Sequence, residues 1–136
     1  MPVANIKRLT GGRLAVAISS MVVRVLRDHT GRGPTKSRTH MTEDLISVVV
    51  QDTLTHAERT LVAHDKTDVV LAARRAFHDT MRAELIDGIE ELTGRTVIAF
   101  FSDNAIDPDI ALKSFLLAPQ GADAEDVATE APAASD

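Results

Sequence analysis

The sequence predicts an α+β fold, a two-layer sandwich in which a mainly antiparallel four-stranded sheet of two β-hairpins packs against three helices. The length of 136 residues suits a single domain with one core. Two segments carry apolar side chains three or four residues apart, the spacing of an amphipathic helix. Two other segments are rich in β-branched or alternating apolar residues and are interrupted by turns, as hairpins are. The predicted order is helix, hairpin, two helices, hairpin.

The first helix is predicted from one apolar stripe. It begins after Thr10-Gly11-Gly12 and ends by Gly31-Arg32-Gly33-Pro34, because glycine tolerates positive φ and proline cannot continue a helix. The stripe consists of Leu14, Ala17, Ile18, Met21, Val22, Val25 and Leu26. The opposite face is basic and includes Arg13, Arg24 and Arg27.

The first hairpin is predicted over residues 37–42 and 45–53, with Glu43-Asp44 as its turn. The run from Ile46 to Val50 is apolar nearly throughout. Such a run indicates a strand that is covered on both faces, or one whose second face meets a partner chain.

The remaining elements follow from a cap, a second stripe and a second hairpin. Thr55 and Glu58 form a capping box that starts a short helix, which ends near His64-Asp65. A longer helix is predicted from about Asp68 to a C-cap at Gly94. Its apolar stripe is Val70, Ala73, Phe77, Met81, Leu85, Ile89 and Leu92. The last two strands are predicted to pair antiparallel and cover residues 96–102 and 110–117, with a loop at 103–109.

The charge distribution divides the chain into three parts. The net charge is −5, but residues 1–41 hold eight Lys or Arg and the single acid Asp28, whereas the last 18 residues hold five acids. We expect an N-terminal extension at 1–10, one α+β domain at 11–118 and a disordered acidic Ala/Pro tail at 119–136, because the tail has too little apolar surface to offset its ordering entropy. Any electropositive surface is therefore local.

Composition excludes several classes of function. There is no cysteine, which excludes disulfides, thiolate metal sites and cysteine nucleophiles. The only aromatic residues apart from histidine are four Phe, so single-stranded nucleic acid has few stacking platforms and is an improbable partner. No signal peptide and no apolar run near ~20 residues is present, so we expect no transmembrane segment and a cytoplasmic location.

A series of short motifs in a specific order carries a family resemblance over about residues 11 to 118. These motifs are Gly31-x-Gly33-Pro34, Leu54-Thr55-x-x-Glu58, Arg74 or Arg75, Ile89-Glu90-x-x-Thr93-Gly94, and Ser102-Asp103. With them the chain resembles the MpsC-like family, a domain of unknown function named after an Na+-translocating, membrane-potential-generating system. The resemblance implies an accessory cytosolic component associated with ion or inorganic-carbon transport, with a membrane transport-system protein as partner. It implies no active-site residue.

The basic segment that follows the first helix is the candidate binding site. Its glycine-rich loop exposes backbone N–H groups, and its cations suit an anion or an acidic partner. The candidate residues are Arg24, Arg27, Arg32, Gly33, Lys36 and Arg38. The alternative interpretation is a plain helix stop with a turn beside a solvated basic face, because the C-terminal end of a helix dipole repels an anion.

Metal and catalytic chemistry lack a matching pattern. The five histidines include no i, i+4 pair, and surface or capping roles are expected for them. The loop with Asp103, Asp107 and Asp109 lacks the central Gly and terminal Glu of an EF-hand, so a solvated hairpin loop is the better interpretation than a cation site. No serine has a Gly-x-Ser-x-Gly context. We therefore expect no metal, no cofactor and no catalytic residue, and a small hydrolase would require a pocket with a shifted carboxylate or histidine pKa.

Taken together, these patterns predict a non-enzymatic accessory or regulatory protein that acts through protein–protein contacts. A homodimer is expected, because the apolar strand from Val48 to Val50 and the long amphipathic helices belong to a chain with few aromatic core residues. The alternative is an anion- or nucleic-acid-binding regulatory domain centred on residues 24 to 38.

Overall fold

The computed structural model describes residues 9–120, and within them the chain folds into three helices and four strands. In chain order these are α1 (Gly11–Thr30), β1 (Lys36–Thr42), β2 (Leu45–Gln51), α2 (His56–Ala63), α3 (Thr67–Thr93), β3 (Val97–Ala105) and β4 (Ile110–Leu117). Most of the predicted N-terminal extension and of the predicted acidic tail lies outside the described residues.

The four strands form one sheet in the order β1-β2-β4-β3, and every neighbouring pair is antiparallel. Helices α1 and α3 pack on one face of this sheet, and α2 packs against α3. The predicted α+β class, with two hairpins and a layer of helices, is confirmed. The two hairpins lie side by side, but the second has the reverse strand order, because β4 and not β3 pairs with β2.

The core lies between the helical layer and the sheet and is mostly aliphatic. Helix α1 contributes five of its predicted stripe residues, namely Ile18, Met21, Val22, Val25 and Leu26. Helix α3 contributes Leu85 and Ile89, and the sheet contributes Phe115 from β4, all essentially inaccessible to solvent. The two helices approach closely where Gly88 faces Met21, since a Cβ atom on Gly88 would lie 2.6 Å from the Met21 sulfur.

Both long helices end at the predicted glycines. Gly31 follows α1 with φ 81° and Gly94 follows α3 with φ 70°, and each backbone N–H donates to a carbonyl one turn earlier. This left-handed conformation favours glycine, which lacks the Cβ that makes it costly.

Strand β2 alternates between buried and accessible side chains. Ile46, Val48 and Val50 are buried under the helices, whereas Leu45 and Val49 point to the opposite face and keep solvent access. Of the two interpretations of the apolar run, coverage on both faces by the chain itself is therefore wrong for the described residues. The second interpretation, a face that meets a partner chain, stays a prediction.

Two strand ends differ from the sequence prediction because of local hydrogen bonding. Strand β3 continues past Ser102 to Ala105, since residues 103–105 pair with the start of β4 and shorten the predicted loop. Strand β2 stops at Gln51, because Asp52 has φ 62° and turns the chain out of the sheet.

Candidate functional site

The N-terminal half of α3 presents polar side chains to the sheet. Ala73 and Phe77, which belong to the predicted apolar stripe, are exposed, whereas Arg74 and His78 are partly buried. The predicted stripe is thus correct at Val70, which is buried, and wrong at Ala73 and Phe77. The prediction fails because positions 73 and 74 lie three and four residues after Val70, so either can share its helix face. A rule that chooses the apolar residue then selects Ala73 over Arg74.

Below this half of α3 is a group of polar residues that we call the Arg74 cluster. Its members are Thr53, Glu58, Arg74, Asn104 and Lys113. They come from the β2–α2 loop, α2, α3, β3 and β4, so every element except α1, β1 and β2 supplies a side chain.

The Arg74 guanidinium is the centre of the cluster and all its donor nitrogens are used. Its Nε and Nη2 donate to the two carboxylate oxygens of Glu58 at 3.0 and 2.7 Å. Its Nη1 donates to Thr53 Oγ1 at 2.9 Å and to Asn104 Oδ1 at 3.0 Å, and its Nη2 also donates to the Thr53 carbonyl at 3.0 Å. Planar, bidentate pairing of this kind fixes orientation as well as charge. Arg74 therefore holds α2, α3, the loop before α2 and β3 in one arrangement.

Glu58 also completes the predicted capping box, which the structure confirms. Its Oε1 accepts from the Thr55 backbone N–H at 2.9 Å, and Thr55 Oγ1 accepts from the Glu58 N–H at 3.1 Å. Burial alone would raise the pKa of Glu58, but the hydrogen bonds from Arg74 and Thr55 outweigh it and lower that pKa. Glu58 is consequently an ionised structural partner at neutral pH and not a proton donor.

Asp109, at the start of β4, fastens the same loop from the other side. One carboxylate oxygen accepts from the Thr53 backbone N–H at 3.0 Å and from Thr53 Oγ1 at 2.8 Å, and the other accepts from the Leu54 N–H at 3.0 Å. The prediction of a solvated loop is therefore wrong at Asp109. Within residues 9–120 no three His, Asp or Glu side chains group as a metal site.

Lys113 is the most unusual member of the cluster, because it is a cation on the helix-covered face of the sheet. It is only 4% exposed, and its ammonium contacts Ser102 Oγ at 2.6 Å. Burial, followed by the nearby Arg74 charge, lowers the pKa of Lys113 to about 8. His78 stacks on Phe100 with ring centroids 4.8 Å apart, and burial, then the Lys113 charge, lowers its pKa.

A cavity of about 30 Å³ lies inside the cluster. Charged or polar side chains share its wall with apolar ones from α1 and α3. The lining residues are Leu26, Thr30, Arg32, Thr53, Glu58, Arg74, Phe77, Met81, Asn104 and Lys113. No sequence pattern predicted this cavity. The one usable indication was Lys113, a charged residue at an inward position of β4, where the other inward residues are Ala111, Phe115 and Leu117.

The residues predicted as a basic binding site do not form one site. Arg32 is held by Asp52, with Nη2 2.6 Å from Oδ2 and Nε donating to the Asp52 carbonyl at 3.0 Å. Gly33 packs under the Arg27 side chain, where an added Cβ would lie 3.0 Å from Nε.

Strand β1 separates the other predicted cations. Arg24 and Arg27 line a shallow hollow with Ser37 on the helical side of β1. Lys36 and Arg38 belong to the opposite side of the strand, where they line a different hollow. The predicted site is therefore divided between two surfaces of the molecule.

The second surface is the side of the sheet opposite the three described helices, which we call the open face. Phe101 on β3 is 62% exposed there, and Leu45, Leu112 and Leu116 on β2 and β4 are 41%, 39% and 37% exposed. Lys36, Arg38 and His40 border these apolar side chains at the β1 edge, and Asp103 lies at the β3 edge.

The comparison with protein families matches most of the chain. The family model described as the Na+-translocating membrane potential-generating system (MpsC) matches residues 10–118. The chain belongs to the MpsC family. No curated protein and no solved structure gave a match. The name of the MpsC family indicates an association with an Na+-translocating, membrane-potential-generating system. No helix among residues 9–120 of this MpsC chain is long and apolar enough to cross a membrane.

Three motif residues that carried the resemblance to this family meet in space. Glu58 and Arg74 form the ion pair at the centre of the cluster, and Ser102 contacts Lys113 beside it. They are far apart in the sequence, and sequence reasoning did not place them together.

Proposed function

We propose that this MpsC protein is a cytoplasmic, non-enzymatic accessory protein associated with an ion or inorganic-carbon transport system, and that it acts through protein–protein contacts made by the open face. We further propose that a second copy of the chain occupies this face. The observation that supports the proposal is the exposure of four large apolar side chains on one sheet surface, Leu45, Phe101, Leu112 and Leu116.

An open face of this composition is costly to leave in water. Antiparallel sheets with one solvated face normally alternate apolar and polar side chains, so that the solvated face is polar. Here the two central strands, β2 and β4, place leucines on that face, and Phe101 stands beside them. Contiguous apolar patches bordered by charged residues are typical of protein-binding surfaces.

The arrangement of charges on the face favours a second copy as the occupant. Arg38 pairs with Val49, Val49 with Leu112, and Leu112 with Asp103, so one row across the sheet has a cation at one edge and an acid at the other. A two-fold axis parallel to the strands places β1 of one copy opposite β3 of the other. Each Arg38 then faces Asp103 of the second copy, and the apolar residues meet between them.

The size of the face predicts a weak dimer. Four strands about 4.8 Å apart and about eight residues long cover roughly 500 Å² on each copy. Two copies therefore bury about 1,000 Å², which is at the lower end of specific interfaces. A dissociation constant in the micromolar range is expected.

Sedimentation velocity across a concentration series tests whether a second copy of the chain binds the open face. The wild-type chain is expected to pass from monomer to dimer with increasing concentration, and Phe101→Glu to remain monomeric because it places a charge in the apolar contact. Val16→Glu is the matched control, since Val16 is 66% exposed on α1, away from the open face, and this variant should dimerise like the wild type. A wild-type chain that stays monomeric at 100 μM rejects the second copy as occupant.

The association with ion transport is tested in cells that lack this chain. Wild type is expected to restore an Na+-dependent membrane potential, measured with a potential-sensitive dye, and Phe101→Glu is expected to restore less. Equal restoration by both proteins would contradict a role for the open face, and no restoration by either would contradict the transport association.

Anion binding by the basic segment remains a second candidate function, and one observation favours it. Ser37 Oγ is buried and lacks a hydrogen-bond partner among the described residues, and it borders the hollow of Arg24 and Arg27. A phosphate group on a partner would satisfy this hydroxyl and both cations. Titration with a phosphopeptide should show an affinity that Arg24→Gln lowers about tenfold or more, whereas no salt-dependent binding to the wild type would reject this function.

A further inference from the structure

Lys113 has no acid to neutralise it among the residues that the structure describes. Its ammonium has three donors, and Ser102 Oγ is the partner found at hydrogen-bond distance. Among residues 9–120 no carboxylate forms an ion pair with Lys113, whereas the Arg74 beside it is paired with Glu58. A buried charge without a counter-charge is strongly unfavourable in a protein interior.

The charges around Lys113 leave one positive charge in excess. The cations that line the cavity are Arg32, Arg74 and Lys113. The acids paired with these cations are Asp52 and Glu58. With every carboxylate ionised, one monovalent anion would bring the group to zero net charge.

The space beside Lys113 has the size of a small ligand. The cavity volume is about 30 Å³, which compares with the ~10–15 Å³ that one water molecule needs. A monatomic anion or a carboxylate as small as formate suits this volume.

From these observations we propose that the cavity between Lys113, Arg74 and α1 is a binding site for one small monovalent anion, such as a halide or formate. The anion contacts the Lys113 ammonium, two of whose three donors have no partner among residues 9–120. The Phe77 and Met81 side chains of α3 form an apolar part of its wall. The Arg74–Glu58 pair is already saturated and acts as the fixed wall of the site.

The site has a defined dependence on pH. The groups that face Lys113 across the cavity or on α3 are Arg32, Glu58, Arg74 and His78. Between pH 7 and pH 9.5 the lowered pKa of Glu58 keeps that carboxylate ionised, and the lowered pKa of His78 keeps that ring neutral. Lys113 is the group that loses its charge in this interval, because its pKa is about 8. Anion affinity should therefore fall as the pH rises through 8.

Thermal unfolding with bromide as the probe tests the proposal. Sodium gluconate, whose anion is much larger than bromide, is replaced stepwise by sodium bromide at constant ionic strength, and unfolding is followed by far-ultraviolet circular dichroism. The Tm of the wild type should rise by several degrees and level off at saturation, because a ligand that binds the folded state alone stabilises it. The same replacement at pH 9.5 should raise the Tm less.

Two variants make the result specific. Lys113→Met keeps the length of the side chain without its charge, and its Tm should not respond to bromide. Lys36→Met removes a lysine from the open face and should respond like the wild type. Equal bromide responses in all three proteins, or no response in the wild type, would overturn the proposal. Crystals grown in bromide give a readout that does not depend on stability, with an anomalous peak expected beside Lys113 Nζ and its absence counting against the site.

Discussion

The two halves of α3 cover the same sheet by opposite means. The C-terminal half buries Met81, Leu85 and Ile89 against α1 and Phe115, with no polar group between them. The N-terminal half puts Arg74 over Lys113, and hydrogen bonds replace apolar contact. Apolar packing depends on volume and tolerates adjustment, whereas a buried polar group requires each of its partners. The apolar half therefore tolerates substitutions that keep its volume, whereas the polar half depends on each member of a defined arrangement of charges.

The largest effect is expected from Arg74→Ala, which leaves the Glu58 carboxylate and the Asn104 amide without their partner. The free energy of unfolding should fall by about 3–5 kcal/mol, as it does when one member of a buried ion pair is removed. Urea denaturation measures this loss. Arg75→Ala is the control, because Arg75 is the exposed neighbour on the same helix, and it should change stability by less than ~0.5 kcal/mol. Equal losses in the two variants would show that the polar half is not held together by Arg74.

A somewhat smaller loss is expected in the apolar half from Leu85→Ala. Leu85 is 1% exposed, so the substitution removes buried methyl groups and leaves a cavity. The expected loss is about 3 kcal/mol. Leu85→Met conserves the volume and should lose less than ~1.5 kcal/mol, which distinguishes a volume effect from a specific contact. If both variants lost the same amount, this half would not behave as an ordinary apolar core.

The smallest expected effect is a pH dependence of the free energy of unfolding, which arises from Lys113. The pKa of Lys113 is about 8 in the folded chain, below the ordinary value of 10.5. Between these two values the unfolded chain binds more protons at Lys113, so this group makes stability rise with pH, by about 1 kcal/mol per unit at most. The difference in unfolding free energy between the wild type and Lys113→Met, measured in gluconate from pH 7 to 10, should show this rise. A difference that stays constant with pH would mean that Lys113 is not desolvated.

The sequence contained most of the fold, because the fold depends on periodic patterns. The α1 stripe, the capping box at Thr55 and the C-cap at Gly94 are local features, and all three appear where they were predicted. The α3 stripe was predicted correctly only where the burial is apolar. At Arg74 a charged side chain takes the inward position, and hydrophobic spacing carries no information about such a residue.

The candidate sites were less accessible to sequence reasoning, because they depend on contacts between distant residues. The bond from Lys113 to Ser102 requires the pairing of β3 with β4, and the bonds from Arg74 to Thr53 and Asn104 join residues 21 and 30 positions apart. The exposed row from Arg38 to Asp103 likewise depends on the order β1-β2-β4-β3. A hairpin prediction alone does not give that order.

The proposal that the open face binds a second copy is tested most directly by charge reversal with sedimentation equilibrium. At a concentration where the wild type has twice the monomer mass of 14.6 kDa, Arg38→Asp and Asp103→Arg should each shift the mass toward that of the monomer. The double variant Arg38→Asp/Asp103→Arg should return to the dimer mass, because the two edges attract again with exchanged signs. Equal masses for all four proteins, or a double variant no more dimeric than the single ones, would contradict the proposed pairing.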